Sequence, residues 1–414
     1  MNEAASKDAA VVTPWYPTRE LPFRGAFVRA MVDATAPGCD TFTVYHCDAW
    51  VAAMDAAAEE RVEAANRKLL ARAVHAVPTS GGAELVHFPV TTPRGQGYGA
   101  QARNHARQLS AALGGRPIPA SVVHAHVGLP GGWAALECAA PGARVFVTEH
   151  ASFLDKILAE PEARAMYDEL LRRVDGFFAV GDPIRERLAE AFPHHVDKVR
   201  QIPNPIAFGV PREAPVQDLR KWLFVGGLSK LKGVDWLLEA FAQCHADDPA
   251  LTLSYVGDGE SRTALTARVA ELGLGDAVEF HGSVGPDRAL ELMREHDVLV
   301  HPSRYETFGM VVVEAVAAGM PVLVTRCGGP EQSLAGVEDA AAQFIDVEEN
   351  AESVAEGYRA LRSRFEAGGL DLEQAQKVLA GRYGYEAVAE AHYRLWFAPS
   401  DRPDADAARA VARD

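Results

Sequence analysis

Short runs of β-branched and aromatic residues alternate with helix-length amphipathic stretches along most of the 414 residues. This alternation is typical of α/β proteins, in which helices connect parallel strands and cover both faces of the sheet. In the first half of the chain the pattern predicts strands at residues 10–13, 41–47, 84–90, 121–126, 144–149, 176–180 and 199–202. The longest helix is predicted at residues 55–77.

The rhythm breaks between residues 204 and 218, where Pro205, Pro211 and Pro215 fall in a stretch without helical or alternating periodicity. The alternation then restarts, with strands predicted at residues 222–225, 251–256, 277–281, 298–301 and 322–325, a helix at 310–318, and an all-helical end at 351–396. We therefore predict two doubly wound α/β domains in tandem. The N-terminal domain is placed at residues 1–205, the linker at 206–218, the C-terminal domain at 219–383, a last helix at 384–399 and a flexible tail at 400–414.

Composition and charge narrow the class of protein. Hydrophobic content of 48% with 24% charged residues is that of a soluble globular protein, and no apolar run approaches the ~20 residues that span a bilayer. The polar first ten residues predict no signal peptide, and five scattered cysteines without a C-x-x-C pair predict reduced thiols in the cytoplasm. A net charge of −16 disfavours nucleic acid and anionic membranes; it reflects either solubility alone or a cationic partner.

The most informative stretch runs from His301 to residue 315. A strand is predicted to end at His301 and a helix to open at Gly309, so the unpaired amides of residues 309–311 would form an anion site. Glu314, one turn into that helix, can accept two hydrogen bonds from a ribose diol, and Glu306 faces the other side of a bound phosphate. The alternative is that Glu306 only caps the helix electrostatically and Glu314 is a surface acid.

Glu306, seven residues and Glu314, with Phe308-Gly309 inside and the segment from Ala315 to Val322 after it, resemble the family-four retaining glycosyltransferases of GT-B fold, or glycosyl transferases group 1. The resemblance covers nearly the whole chain. It implies two Rossmann-like domains facing across a cleft, with the C-terminal helix crossing back to the first domain. It also implies that Glu306 contacts the hydroxyls of a donor sugar and that Glu314 contacts the ribose of its nucleotide.

The same resemblance assigns the remaining donor contacts. Lys232 lies where the family neutralises the leaving diphosphate, while Gly227 stands where many members carry an arginine, which leaves open whether Lys230 replaces it. The backbone at Val284 would contact the base, and the amide of Gly25 would approach the diphosphate from the first domain. We therefore expect the donor to be bound by Gly25, Gly226, Gly227, Lys232, Gly257, Asp258, Val284, Glu306, Thr307, Phe308, Gly309, Met310, Val311 and Glu314.

The acceptor is expected in the first domain. His150 matches a family histidine beside the reacting centre, so His150, Lys232 and Glu306 are the predicted catalytic residues; the alternative for His150 is a satisfied strand-end histidine. Trp15, Tyr16, His126 and His150 are the predicted acceptor contacts, although core packing is an equal alternative for one of the two aromatic residues. The H-x-H at residues 124–126 has no acidic or cysteine partner at recognisable spacing, so no metal site is expected.

The resemblance predicts a metal-independent, retaining transfer of a hexose or N-acetylhexosamine from a nucleotide diphosphate-sugar, with a UDP-sugar favoured. No cofactor and no D-x-D metal motif are expected. The predicted acceptor is a small, soluble, cationic metabolite such as an aminoglycoside aminocyclitol, which would place the enzyme in bacterial antibiotic biosynthesis. The alternatives are cell-envelope or exopolysaccharide assembly, a nucleotide-sugar epimerase, and a non-catalytic sugar-nucleotide-binding protein. The donor base, the sugar and the oligomeric state are left open.

Overall fold

The computed structural model describes residues 6–52, 59–73, 75–79, 81–209, 212 and 214–398. Eight strands form the first sheet: β1 (Asp8–Thr13), β2 (Thr41–Ala52), β3 (His75–Pro78), β4 (Glu84–Pro93), β5 (Val122–His126), β6 (Arg144–Glu149), β7 (Gly176–Ala179) and β8 (Val199–Gln201). Their order is β3-β4-β2-β1-β5-β6-β7-β8, and all neighbours are parallel except β3 and β4. Its helices are α1 (Ala26–Thr35), α2 (Glu59–Ala73), α3 (Tyr98–Ala112), α4 (Trp133–Cys138), α5 (Leu154–Leu158), α6 (Pro161–Arg173) and α7 (Asp182–Ala191).

The second sheet contains six parallel strands: β9 (Lys221–Val225), β10 (Thr252–Val256), β11 (Val278–Gly282), β12 (Val298–His301), β13 (Val322–Thr325) and β14 (Ala342–Ile345), in the order β11-β10-β9-β12-β13-β14. Its helices are α8 (Val234–Asp247), α9 (Arg262–Glu271), α10 (Pro286–Glu295), α11 (Met310–Ala317), α12 (Gly329–Ser333), α13 (Glu338–Ala341) and α14 (Ala351–Glu366). Two further helices, α15 (Leu372–Tyr383) and α16 (Tyr385–Trp396), end the described chain. Two Rossmann-like parallel sheets confirm the predicted fold class.

The predicted elements differ from the structure in three places. The helix expected at residues 55–77 is α2, followed by β3, while residues 53–58 and 74 lie outside the described part. Val77 belongs to β3 because this short segment pairs antiparallel with β4, and tertiary pairing overrides the local helical pattern. Strand β2 extends to residue 52 because β4 pairs along its whole length. Strand β14 was not predicted; it is a short edge strand beside β13.

The end of the chain returns to the first domain. The Ile206 amide donates to the Tyr383 carbonyl at 2.7 Å, where α15 meets α16. In α16 the Tyr393 hydroxyl donates to the Thr35 carbonyl at 2.5 Å, and the buried Trp396 indole donates to His124 Nδ1 at 3.1 Å. The last helix therefore packs on α1 and on the first sheet. Among the described residues, no helix combines the length and apolar character needed to cross a bilayer.

Candidate functional site

The anion site predicted at the start of α11 has the required geometry. Gly309 adopts a left-handed conformation, with φ 79° and ψ 50°, and its carbonyl accepts the Val312 amide at 3.0 Å. Within the described residues, the amides of Gly309, Met310 and Val311 donate to no backbone carbonyl. Free amides at a helix N-terminus, reinforced by the helix dipole, bind phosphate groups.

Glu306 is the centre of a buried charged network beside these amides. Its Oε1 accepts a hydrogen bond from Lys232 Nζ at 2.5 Å and another from His301 Nε2 at 2.6 Å, and its side chain is 13% exposed. Burial acts to raise the pKa of Glu306, but the His301 hydrogen bond and the Lys232 charge outweigh it and lower the pKa to about 2. The carboxylate is therefore ionised at neutral pH, and Lys232 points into the site rather than into solvent.

The loop carrying Glu306 is tied down on both sides. The Arg304 amide donates to Leu231 in the 3-10 turn Lys230–Lys232, and the Glu306 amide and carbonyl bond to Cys327 and Gly329 in the loop after β13. Such preorganisation keeps the carboxylate and the ammonium in place before any ligand arrives. His301 was not predicted as a site residue; the available signal was its position at a strand end, five residues before Glu306.

Beside the start of α11 lies a cavity of about 190 Å3 between the two domains. Phe23 and Ala26 line it from the first domain. The second domain contributes Val225, Gly226, Gly227, Val256, Gly257, Asp258, Ser283, Val284, Pro286, Ala289 and Glu314. Six of the predicted donor contacts, from four separate loops and helices, thus face one cavity.

Two glycines allow the cavity floor to form. Gly257 has φ 131°, and a Cβ there would lie 1.9 Å from the Gly226 carbonyl oxygen, so the loops after β9 and β10 touch through bare backbone. Gly227 has open space at its Cβ position, and Lys230 is exposed without an ion pair among the described residues. No side chain in the described part of the chain therefore occupies the position at which the family arginine is expected. The role of Lys230 stays a prediction.

Glu314 faces this cavity without a partner. Within the described part of the chain, its carboxyl group makes no hydrogen bond or ion pair, and burial raises its pKa to about 7. Solvent reaches the side chain only in part, and Glu314 also lines a smaller cavity of about 80 Å3 with Arg29 and Tyr385. An unpaired, half-buried carboxylate is unfavourable on its own, and the two hydroxyls of a ribose would satisfy it.

Gly25 lets the loop before α1 pack closely against the backbone of Trp15. Its φ is 72°, and a Cβ would lie 2.5 Å from the backbone carbon and oxygen of Trp15, so only glycine allows this approach. The domains also meet through Arg29 Nη1 and Asp287 Oδ2, 3.4 Å apart, and through the Asp182 amide, which donates to Gln332 Oε1 at 2.7 Å. Two polar contacts therefore connect the domains across the cleft.

Two aromatic predictions need correction. Tyr16 is 5% exposed and packs in the core of the first domain, so it has no free ring face for a sugar. Phe308 is 2% exposed, with its ring edge-on to Tyr383, so its side chain anchors the loop and only its backbone faces the anion site. Trp15 is half-buried between Phe27 and Phe153.

His150 and His126 lie in a buried row of imidazoles. His126 Nδ1 and His150 Nε2 are 2.8 Å apart, and the His126 ring stacks on His124 at 5.2 Å. Burial lowers the pKa of His150 to about 3, so the ring is neutral. His150 Nδ1 is buried without a hydrogen-bond partner, and the Phe27 ring lies 4.3 Å from the imidazole centre. The Phe27 ring thus packs against the His150 ring.

An open cleft of about 870 Å3 in the first domain was not predicted. Asp48 lies at its centre and accepts from the Trp50 indole at 2.7 Å and from Arg24 Nη1 at 3.4 Å. The Trp50 side chain is 49% exposed, and His87 lines the same wall. Arg24 is next to Gly25 and Phe23, so one loop touches both this cleft and the donor cavity. The available signal was the Asp-Ala-Trp at residues 48–50, near the end of β2, which has no characteristic spacing.

Two Rossmann-like domains with an anion site and a cavity at the strand ends have the arrangement of the GT-B fold. Two glycosyltransferase family models match the chain: "Glycosyl transferases group 1" matches residues 211–364, and "Glycosyltransferase Family 4" matches residues 63–208. Neither model alone covers half of the chain, but together they span both domains.

Curated relatives agree with this class. A D-inositol 3-phosphate glycosyltransferase of Streptomyces griseus is 34% identical over 205 residues, which are 46% of this chain and 43% of the relative. The enzyme of that name from Geodermatophilus obscurus is 31% identical over 253 residues, 59% and 54% of the two chains. A glycogen synthase of Mycobacterium tuberculosis is 28% identical over 41% of each chain. The chain thus spans about half the length of the curated relatives that it matches.

Solved structures share the fold. A sucrose-phosphate synthase of Thermosynechococcus elongatus has a TM-score of 0.71 at 20% identity, covering 95% of this chain and 99% of the other. Anabaena HepE in complex with UDP and glucose has a TM-score of 0.65 at 16% identity, covering 95% and 100%. At this level of identity the likeness shows the fold, not the substrate.

Proposed function

We propose that this protein is a retaining, metal-independent glycosyltransferase that moves a hexose or N-acetylhexosamine from a nucleotide diphosphate-sugar, with a UDP-sugar as the first choice. The observation that carries the proposal is the convergence of Glu306, Lys232 and His301 beside the free amides of α11. The unpaired Glu314 carboxyl in the adjoining cavity supports it, because hydroxyl, diphosphate and hydroxyl groups follow one another in such a donor.

The geometry supports a specific role for each group at the site. The amides of residues 309–311 and the Lys232 ammonium stabilise the negative charge that develops on the leaving diphosphate. Glu306 accepts hydrogen bonds from the sugar hydroxyls while its charge keeps Lys232 in the site. The donor's own β-phosphate then takes the proton of the acceptor hydroxyl, since no carboxylate is placed as a nucleophile. His150, whose Nδ1 has no hydrogen-bond partner among the described residues, is the proposed contact on the first domain's side of the reacting centre.

For the acceptor we propose a small cyclitol, a carbocycle bearing hydroxyl groups, bound in the cleft around Asp48. The relatives named after inositol 3-phosphate and the aminocyclitol expected from the net charge share this ring. In the cleft, the exposed Trp50 indole offers a face for the ring, and Asp48 and Arg24 offer charges of both signs. The experiment should therefore compare acceptors that differ in charge. A cytoplasmic location stays a prediction.

The test uses purified protein with UDP-, GDP-, ADP- and dTDP-sugars, first without acceptor and then with inositol, an inositol phosphate and an aminocyclitol. Nucleotide release and product mass are followed for the wild type, Glu306→Ala, Lys232→Ala and Lys377→Ala, an exposed lysine on α15. We expect one donor to be turned over and Lys232→Ala to lower the rate about 10²–10³-fold, with Lys377→Ala unchanged. A Lys230→Ala variant decides whether that lysine replaces the arginine absent at Gly227.

Three results would count against the proposal. Release of an altered sugar in the absence of acceptor would show an epimerase. Tight nucleotide binding without turnover of any donor and acceptor pair would show a binding protein. Full activity of Lys232→Ala and Glu306→Ala would remove the proposed site, even if the chain transfers sugar.

A further inference from the structure

A second cluster of ligand-bearing side chains lies on the first domain, among residues that take no part in the donor cavity or the acceptor cleft. Asp168 belongs to α6, and His194 and His195 belong to the 3-10 turn Pro193–Lys198. One ligand atom from each of the three lies within 4.8 Å of the others. Sequence inspection did not single out this group, because Asp168 is 26 residues from His194.

The three atoms converge on one point. His194 Nε2 lies 2.7 Å from Asp168 Oδ1, and His195 Nε2 lies 3.2 Å from the same oxygen. Ligands of a tetrahedral zinc ion with bonds of about 2.0–2.1 Å are about 3.3 Å apart. The His195 spacing already matches this value, and the His194 nitrogen would have to move away from the oxygen by about 0.6 Å.

His195 supplies the second observation. Its side chain is 12% exposed, and its Nε2 is buried without a hydrogen-bond partner although it faces the Asp168 oxygen. His194 forms the shorter hydrogen bond to that oxygen, at 2.7 Å, and His195 is its second neighbour, at 3.2 Å. A metal ion bound among the three groups would give the buried His195 nitrogen a directed bond.

The two segments that carry these ligands are held together independently of the cluster. The Phe192 ring, before the turn, stacks on Tyr167 of α6 with centroids 6.3 Å apart. Arg164 of α6 donates to the Ala191 carbonyl at 2.7 Å. At the other end of the turn, Lys198 Nζ donates to the Arg172 carbonyl at 2.7 Å. The site is thus preorganised, which reduces the entropy lost on metal binding.

The local charge permits a cation. Lys198 donates its ammonium to backbone carbonyls, Arg172 pairs with Glu169 at 2.6 Å, and Arg173 pairs with Glu137 at 3.0 Å. The nearest basic groups are therefore engaged with oxygen acceptors. The His194 and Asp168 side chains are 61% and 46% exposed, which leaves an entry path and an open coordination position for water.

We propose that Asp168, His194 and His195 form a site for a divalent transition-metal ion, with Zn2+ as the preferred ion, that clamps α6 to the turn before β8. Two imidazoles and one carboxylate suit zinc, nickel or copper better than magnesium or calcium. Metal binding requires the tautomer of each imidazole with the lone pair on Nε2, so the ion replaces the His194–Asp168 hydrogen bond. The site is structural and does not depend on the proposed transferase activity.

The test is zinc titration of the full chain by calorimetry, combined with thermal unfolding with and without Zn2+. We expect one equivalent to bind and to raise the Tm of the wild type. Binding should weaken at least tenfold in Asp168→Asn, His194→Ala and His195→Ala. His87→Gln is the matched control, since His87 lies 4.0 Å from Asp48 in another histidine–aspartate group.

The inference is overturned if the wild type shows no saturable binding, or if Asp168→Asn and His194→Ala bind Zn2+ as tightly as the wild type. Should the buried His195 variant fail to fold, the two exposed positions carry the test. If His87→Gln were the one variant that lost zinc binding, the inference would also be overturned, because the zinc site would then lie at His87 and Asp48. None of these results bears on donor turnover, which Lys232→Ala tests separately.

Discussion

Replacing Glu314 by glutamine should make the protein more stable and a weaker binder of its nucleotide. Burial raises the pKa of this carboxyl from 4.5 to about 7. Between these two pH values the folded protein holds a proton that the unfolded chain has already lost, so stability falls as pH rises through that window. The 2.5-unit difference corresponds to about 3 kcal/mol at pH 8, of which about 2–3 kcal/mol is lost between pH 5 and pH 8.

The assay is urea unfolding of the wild type and Glu314→Gln at pH 5, 6, 7 and 8. The difference in the free energy of unfolding between the two proteins reports on this carboxyl alone. The buried histidines contribute equally to both proteins, and their lowered pKa values make stability rise with pH instead of fall. We expect the variant to gain on the wild type steadily from pH 5 and to level off near pH 8. Parallel pH profiles, or a variant less stable than the wild type at pH 8, would refute the reasoning.

Nucleotide binding should change in the opposite direction. Glutamine keeps one acceptor oxygen but loses the charge, and hydrogen bonds to charged groups contribute about 1.5–3 kcal/mol, so affinity should fall roughly 10–100-fold. In the wild type, affinity should rise between pH 6 and pH 8 as the carboxyl ionises. That slope should vanish in Glu314→Gln, and its persistence would assign the pH dependence to another group.

Two further substitutions test the frame around the site. Gly25→Ala brings a Cβ to 2.5 Å from the Trp15 backbone at φ 72°. We expect the free energy of unfolding to fall by about 1–3 kcal/mol or more and donor turnover to decrease. Gly95→Ala, at the same φ but with open space around the Cβ, should lower the free energy of unfolding less and leave turnover unchanged. Equal effects of the two, measured by thermal unfolding and donor hydrolysis, would argue against a steric role. Tyr167→Phe removes the hydroxyl that donates to the fully buried Glu149, so the free energy of unfolding should fall by about 1–3 kcal/mol. The loss should be larger at high pH, because burial already raises the pKa of Glu149. A loss below about 0.5 kcal/mol in urea unfolding would contradict this.

Local features of the sequence were enough for the fold class and for part of the site. Alternation of apolar runs and amphipathic stretches depends on neighbours within one helix or strand, so both parallel sheets could be predicted without tertiary information. The helix start at Gly309, with its left-handed conformation and free amides, is likewise a property of one short segment. The spacing of Glu306 and Glu314 around it carried the family resemblance.

Contacts between distant segments decided the rest. Lys232 and His301 meet on one oxygen of Glu306, although Lys232 is 74 residues away, and only the packing of β9 against β12 brings them together. Burial also depends on many segments: it places Tyr16 in the core, the alternative to an acceptor contact that the sequence left open, and it sets the pKa of Glu314. Strand β3 forms at the end of a helical pattern because β4 offers it an edge. The chain's own periodicity thus specifies which elements form, whereas the charges and accessibility of its functional groups depend on which neighbours the folded structure supplies.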